Sequence, residues 1–505
     1  MKTVVIVGGG ITGLSAAYYL RDHFNIVLVE SSPSIGGKLR SVRFRNKSVD
    51  MGPDSFLTRN RSAIELAAET DLSDHLVSPA RQGAALYSRG KLRKLPMDLA
   101  LGIPTNLISV LSSKIVPPMA VLRAAPDLLW PTKLPDFKPL LDLSKTPLPF
   151  SDKDVLEPTF YKKEMSATPD LTIGKLLAPR LGGEMLERLI APLIAGINAG
   201  DINHLSFAAT TPELARAVSG QRSVISALRK YRSDNKARSK PHDGHLPLPP
   251  FMGFDASFSV LTGALESHLT RAGATIWLDT SVDEIKPVGE NTPGRQWEIS
   301  LEDKSSGENR VVLCDGLILA TPAFVTAKLL SSSFPEIAAL CDAIPFSSVA
   351  TLLTAWKSED VGEIYGTGFL VARKPKRLIT GVTNLTSKWS HLASKDEVWL
   401  KISAGHYLDD RAVTMTDAEL TATMLQDLSE ILDLPTKPLE TKLSRWENAF
   451  PQYNSGHIQR VAEIDSLTVN LKNVAIAGAS YHGIGIPACI SDAVAAAEKL
   501  KTNLL

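Results

Sequence analysis

The residues best placed to do chemistry lie at the N-terminus. TVVIVGGG, from Thr3 to Gly10, is a β-branched apolar run that breaks into glycines, as a buried parallel strand does when it meets a tight turn. Gly8, Gly10 and Gly13 are spaced G-x-G-x-x-G, and Ile11 to Leu20 carries a helical apolar pattern with Ser15, Ala16 and Ala17 where a helix would press on a sheet. A second apolar run, NIVLVE from Asn25, ends on Glu30, 22 residues after Gly8. The residue types suit a dinucleotide. Gly8 allows the turn, Gly10 lets backbone approach a pyrophosphate, and Gly13 lets helix and strand close on each other. The helix N-terminus then faces phosphate, and the carboxylate takes ribose hydroxyls. A secretory signal is excluded, because glycines break the apolar run and no A-x-A site follows.

Other groups are weaker on their own. Gly36 and Gly37 form a second point of close approach, with Lys38 and Arg40 following. Gly52-Pro53-Asp54-Ser55 is a turn with an exposed carboxylate. The segment 474–500 reads as strand, glycine-rich turn and helix, with Pro487 suited to the first helical turn. The amides of that helix would face whatever occupies the turn. Cys489, one turn in, reads as a structural cysteine, with a pKa lowered by its position as the alternative. Arg373, Lys374, Lys376 and Arg377 make a basic turn, read as a solvated hairpin or, functionally, as a trap for carboxylates. His242 and His245 sit in a polar, Pro-rich loop that does not suit a metal pair. No Ser/His/Asp, Cys/His or paired-carboxylate spacing demands acid–base or nucleophilic catalysis, so no catalytic residue is assigned, and no metal.

The elements that must position these groups follow from periodicity and punctuation. Residues 60–80 read as helix and turn, and Leu86 to Pro96 as a hairpin with Arg89-Gly90 at its tip. From Met97 to about Leu143 prolines cut a Leu/Ile-rich stretch into short helices. That stretch is read as a packed subdomain, with an apolar surface at a bilayer interface as the alternative. Residues 171–200 read as paired helices interrupted at Pro192 and Gly196 and ended by Gly200-Asp201. Two strands follow in 274–285, then an antiparallel ribbon running into a buried strand over 295–323, and a strand-rich region from Thr351.

Taken in order, GGGITG, Glu30, IGGK and GPDSF resemble the bacterial coproporphyrinogen/protoporphyrinogen oxidase family, with Gly-Pro-Asp-Ser similar to the Gram-positive, coproporphyrinogen III type. ERLIAPLIAGINAGDINHLS (187–206), LATPA (319–323), TSKW (386–389), SRWENAFPQYNSGH (444–457) and IAGASYHGIGIPACI (476–490) extend the resemblance along essentially the whole chain. Two departures stand out: PFMGFDASFSV replaces a glycine-led segment, and Ala493 replaces a glycine. The resemblance implies an α/β fold: a Rossmann-like FAD-binding domain of the glutathione-reductase/amine-oxidase type, an antiparallel substrate-domain sheet and a helical subdomain. The expected pieces are 1–60, 251–325 and 440–505 for FAD; 61–94, 206–250 and 326–439 for substrate; and 95–205 for the helices.

It also implies FAD contacts at Gly8, Gly9, Gly10, Ile11, Thr12, Gly13, Glu30, Ser31, Gly36, Gly37, Lys38, Gly52, Pro53, Asp54, Ser55, Val282 (adenine, through its backbone), Trp446, Gly478, Ile484, Gly485 and Ile486. Thr367, Leu370, Tyr481 and His482 are expected to face substrate, with packing equally open for the last two. The implied reaction oxidises coproporphyrinogen III to coproporphyrin III in haem biosynthesis, with flavin reduced, dioxygen reoxidising it and hydrogen peroxide released. A nicotinamide dehydrogenase would not need the Gly36-Gly37-Lys38 segment or the C-terminal glycine-rich turn. Protoporphyrinogen IX is the alternative substrate. A carotenoid desaturase or amine oxidase would share every flavin motif, although an amine oxidase expects an aromatic pair that Tyr481 alone does not supply. A non-catalytic flavin- or porphyrin-binding protein is the remaining class, and it would produce no peroxide.

Composition narrows the setting. The chain has 505 residues, with 55 Lys plus Arg against 54 Asp plus Glu, so there is no basic field for nucleic acid. Its three cysteines, Cys314, Cys341 and Cys489, lack disulfide or metal spacing and fit a reducing compartment. No uncharged run reaches the roughly 18–20 residues of a membrane span. The expectation is a cytoplasmic protein, with peripheral contact at the inner face of the cell membrane and transient contact with other haem-pathway enzymes left open.

Overall fold

The computed structural model describes residues 1–143, 169–238, 248–288, 296–373, 377–434 and 437–505; His242, His245, Lys374 and Lys376 lie outside these. Contacts divide the chain into two compact units, Met1–Ser78 with Pro249–Ile344 and Arg460–Leu505, and Pro79–Leu248 with Pro345–Gln459.

The first unit is built on five strands in the order Thr275–Trp277, β2 (Asn25–Val29), β1 (Thr3–Val7), Gly316–Leu319, Val474–Ile476. Each neighbouring pair runs parallel, with Val5 opposite Val27 and Leu317. Parallel strands are covered on both faces, which is why β1 reads as an unbroken apolar run and why Val4, Val5 and Ile6 are fully buried. Helix α1 (Ile11–Leu20) packs against helices Ser259–Arg271 and Ile486–Leu504. Leu14, Ala17, Leu261, Leu265, Ile490, Ala493 and Ala497 share one core. Ala493, in place of the family's glycine, is completely buried there. A three-stranded antiparallel ribbon, Thr280–Pro287, Trp297–Asp303 and Glu308–Cys314, leads into Gly316–Leu319 as expected. The segment that departs from the family folds as strand Phe251–Phe254 and a turn in which Ser257 takes φ +105°, a conformation that favours glycine.

The second unit holds a seven-stranded sheet in the order Glu440–Pro451, Phe346–Lys357, Glu397–Ala404, Ile379–Asn384, Gly368–Val371, Ala85–Ser88, Lys91–Lys94. All pairs are antiparallel except Gly368–Val371 with Ala85–Ser88. Leu420, Met424 and Leu428 of helix Asp417–Leu432 pack on Leu352, Leu400 and Ile402 of this sheet. That helix opens on a capping box between Thr416 and Glu419. The Pro-rich stretch forms short helices Leu107–Ser113, Pro118–Ala124 and Lys138–Leu143. The interruption at Pro192 takes the form of a π-helical turn, Leu186–Ile190, before helix Ala191–Asn198. Proline has no N–H to give the carbonyl four residues back, so the ladder is rerouted. Gly196 does not break the helix; a methyl there would come within 3.0 Å of Leu370 Cδ2.

The division differs from the expected three pieces, for packing reasons. Helix Ser62–Glu69 belongs with the first unit because Asn60 Nδ2 donates to Ser491 Oγ at 3.0 Å and Ser62 Oγ lies 2.6 Å from the same atom. Helices Ala323–Leu330 and Pro335–Asp342 stay there too, the former against Thr280–Pro287. Strand Glu440–Pro451 belongs with the second unit because it pairs with Phe346–Lys357. The helices of 107–228 are not separate: Val110, Leu177, Ile190, Phe207 and Leu228 share a core with Leu86 of the sheet.

Candidate functional site

The site of the first unit is the turn between β1 and α1, where three glycines meet three different constraints. A methyl on Gly13 would stand 1.8 Å from the Gly8 carbonyl oxygen, so helix and turn can close only because none is there. Gly8 has φ +105°, and a side chain on it would press on the Ala320 carbonyl oxygen at 2.8 Å. A methyl on Gly10 would meet nothing within 4 Å, so that face of the turn is open. Gly10 caps α1 without a side-chain hydrogen bond, and no acid stands in the first turn, so the helix presents bare amides and the positive end of its dipole.

Glu30 ends β2 beside this opening and is 8% exposed. Its Oε2 accepts the N–H of Gly9 at 2.7 Å and its Oε1 the N–H of Ser32 at 2.9 Å. One bond to each oxygen leaves lone pairs for ribose hydroxyls. Gly9 must be small, since a methyl there would come within 3.0 Å of Glu30 Cβ. The second doublet folds onto the first: the N–H of Gly36 donates to the Gly9 carbonyl at 2.8 Å, and a methyl on Gly37 would lie 3.2 Å from Gly10 Cα. Lys38 reaches solvent, yet enough protein surrounds it that desolvation lowers its pKa, partly offset by Cys489. Ser31 is exposed and Ile11 half-buried beside them, and Thr12 is buried.

The C-terminal turn arrives at the same place. Gly478 takes φ +129°, and a methyl there would lie 3.7 Å from Thr12 Oγ1 in the first turn of α1. Helix Ile486–Leu504 starts on Gly485 with no side-chain cap, Pro487 in its first turn and no acid there. Two uncapped helix N-termini therefore serve one opening, an arrangement that suits negative charge. Ile484 is half-buried, Gly485 exposed and Ile486 buried. Val282 sits at a bulge of Thr280–Pro287, the register shifting between it and Glu284, which loosens backbone groups from the ladder. Pro53 is exposed, with Gly52, Asp54 and Ser55 half-buried.

Cys489 is buried, as expected of a structural cysteine, and burial pushes its thiol up to about 11, against the alternative of activation by its helix position. Tyr481 points into packing, its hydroxyl 3.3 Å from Thr326 Oγ1 and near Cys341 Sγ; desolvation raises its pKa well above the usual value. His482 is engaged on both ring nitrogens by Asp492 and Asp465, two residues that belong to no motif. Of the basic turn, the described arginines Arg373 and Arg377 are already engaged with acids. Arg373 Nη1 binds Asp201 at 2.6 Å, and Arg377 Nη1 binds Asp427 and Glu430 at 3.0 and 2.6 Å.

In the second unit, Trp446 is buried with Nε1 donating to Thr351 Oγ1 at 3.0 Å. Thr367 bonds Gly83 O through both N–H and hydroxyl, and Leu370 packs on Gly196 and Gly381. Among the described residues no cluster of three His, Cys, Asp or Glu could hold a metal, the cysteines are free, and no helix is long and apolar enough to cross a membrane.

The parallel sheet, the open Gly10 face, the acid ending β2 and the two helix N-termini define a dinucleotide-binding oxidoreductase fold. The chain belongs to the flavin containing amine oxidoreductase family, whose model matches residues 11–501, and its cofactor is FAD. It is 28% identical to a coproporphyrinogen III oxidase of Staphylococcus aureus over the whole of both chains. A coproporphyrinogen III oxidase of Bacillus subtilis is 30% identical, covering all of this chain and 98% of its own. An Exiguobacterium protein described as a protoporphyrinogen oxidase has a solved structure that covers 99% of both chains at TM-score 0.78 and 27% identity. The residues at the opening fit FAD: nothing stands within 4 Å of a methyl placed on Gly10, which suits close approach of a pyrophosphate, and Glu30 keeps acceptor capacity for ribose.

Proposed function

We propose that this chain oxidises coproporphyrinogen III to coproporphyrin III with dioxygen as acceptor, releasing hydrogen peroxide. The observation that carries the reading is end-to-end similarity to enzymes of that name, joined to a flavin site whose glycines and acid are all in place. FAD, when bound, supplies the two-electron acceptor. On this reading Gly8, Gly10, Gly13, Gly36 and Gly37 bring backbone to the pyrophosphate, Glu30 holds the ribose and the turn before Ile486 faces the pyrimidine end. Ile11, Thr12, Ser31, Lys38, Gly52, Pro53, Asp54, Ser55, Val282 and Trp446 complete the cofactor contacts by resemblance, and Thr367 and Leu370 face substrate. Protoporphyrinogen IX is the second reading, favoured by the Exiguobacterium likeness.

The test is aerobic turnover of both porphyrinogens side by side by FAD-loaded protein, followed by porphyrin fluorescence. Preference for the tetracarboxylate supports the proposal, and preference for the dicarboxylate replaces it with the second reading. Oxidation of neither by yellow, FAD-loaded protein would sink both.

We further infer peripheral contact with a membrane surface. Met97, Ile108, Leu111, Met119, Leu122 and Leu129 are all exposed in one stretch, with Ile108 at 78% and Leu129 at 90%. Large apolar side chains exposed in such number within one stretch suit an interaction surface. Both acids of that stretch are already paired, Asp98 with Arg232 and Asp127 with Arg180, while Lys114, Arg123 and Lys133 add positive charge. An apolar, cationic surface suits anionic lipid headgroups.

A further inference from the structure

One carboxylate holds the turn from Gly478 to Gly485 at two points. Asp492, in the C-terminal helix, accepts the N–H of Gly478 on Oδ2 at 2.6 Å, and its Oδ1 lies 2.8 Å from His482 Nδ1. His482 Nε2 lies 3.1 Å from Oδ2 of Asp465 in helix His457–Val469. Lys499 adds a cation toward Asp465. The turn needs such restraint, because Gly478 and Gly483 take φ +129° and +147°.

An imidazole with a carboxylate against each nitrogen is stable only as a double donor. In the neutral ring one nitrogen is an acceptor, and here it would face another acceptor. His482 therefore has no lone pair or spare proton to trade, which favours the packing role over a direct contact with substrate. The ring is 31% exposed, and such desolvation as it suffers opposes its charge, but the hydrogen bonds to Asp465 and Asp492 outweigh this and raise its pKa well above the ordinary value. The cluster then holds two cations, His482 and Lys499, against two anions, Asp465 and Asp492. Cys489 and Tyr481 also face Asp492, and burial keeps both neutral; Lys38 interacts in turn with Cys489.

We propose that His482, clamped between Asp465 and Asp492, is a positioning residue that fixes the Gly478–Gly485 turn, balances the charge behind the pyrimidine end of bound FAD and thereby sets its reduction potential. The effect runs through Asp492 and the backbone of the turn. Two-electron reduction adds negative charge at that end, so charge behind the turn biases oxidised against reduced flavin.

The experiment is an anaerobic redox titration of FAD-loaded wild type, H482Q and D465N against reference dyes, with thermal unfolding of each as control. H482Q removes a cation and leaves two carboxylates facing one ammonium, so its potential moves negative. D465N removes an anion while leaving the Asp492 bonds to Gly478 and His482, so its potential moves positive. The expected size is about tenfold in the reduction equilibrium, or about 30 mV for a two-electron couple. A cluster that merely holds the fold would lower the melting temperature of both variants without moving their potentials in opposite directions. Unchanged potentials in both variants, or shifts of the same sign, overturn the proposal. Should H482Q not retain FAD, the sign of the D465N shift decides alone.

Discussion

Gly10 and Gly13 stand three residues apart in one turn, and a methyl group tells them apart. On Gly13 it would collide with backbone, at 1.8 Å from Gly8 O, which no rotamer relieves. G13A should cost about 1–3 kcal/mol or more of stability by overpacking and should lower FAD retention with it, as thermal unfolding and flavin release would report. On Gly10 the methyl enters open space, and φ −73° suits alanine. G10A should keep the stability of the flavin-free protein within about 0.5 kcal/mol while sharply weakening FAD binding, measured by titration of flavin fluorescence. Equal melting and equal flavin affinity in G10A would remove Gly10 from the cofactor site. These residues were legible because their constraint is local: glycine spacing, strand, helix and acid all fall within 30 positions. Arg373 was not, because its partner Asp201 is 172 residues away in sequence. A guanidinium that looks free in a basic turn is neutralised by the fold.

At the level of elements, the same contrast separates what periodicity shows from what long-range pairing adds. The hairpin Ala85–Ser88/Lys91–Lys94 and the strand–turn–helix of 474–504 were readable from alternation, glycine and proline. The anchor of helix Val224–Arg238 was not. Fully buried Asp127 accepts Ser223 Oγ and the N–H groups of Val224 and Ile225 on that helix's first turn, and it pairs with Arg180 at 3.2 Å. Replacing Asp127 with alanine strips the first turn of its acceptor and leaves Arg180 buried without its carboxylate, so D127A should cost about 3–5 kcal/mol in denaturant unfolding. A loss under about 1 kcal/mol would mean that the carboxylate does not hold these two segments together.

The His482 cluster makes a prediction in pH. Its folded pKa lies well above the unfolded value of about 6.5, the carboxylate hydrogen bonds having outweighed burial. A raised cationic pKa contributes stability that is complete below about 6.5 and is lost as pH rises through the folded value. The melting difference between wild type and H482Q should therefore be largest near pH 6 and shrink at alkaline pH. A difference that grows with pH would reverse the sign of this linkage.

Over the whole molecule, the two compact units divide the chain at other points than the three expected pieces, since boundaries follow tertiary pairing. Glu440–Pro451 carries part of a family signature, so it reads as cofactor-domain sequence, yet Leu443 and Trp446 lie opposite Leu352 and Val349 in the second unit's sheet. The stretch after Met97 posed the opposite difficulty, since its many apolar residues could signal either core or surface. Both are present. Val110, Ala120, Val121 and Ala124 are buried, while Ile108, Leu111, Met119, Leu122 and Leu129 are exposed on the same short helices and turns. That division, with three cations and no unpaired acid between 97 and 133, leads to the last prediction. The wild-type chain should sediment with vesicles containing phosphatidylglycerol, less so with phosphatidylcholine alone, and progressively less as salt rises. The double substitution I108D/L129D removes two of the most exposed apolar side chains, each worth about 1.5–3 kcal/mol if fully withdrawn from water, so partitioning should fall roughly tenfold or more. Both positions are remote in sequence from every residue assigned to the flavin, so flavin content and turnover of soluble porphyrinogen should be retained. Equal sedimentation of the variant and wild type would show that these side chains meet no bilayer, and the exposed stretch would then need an occupant other than lipid.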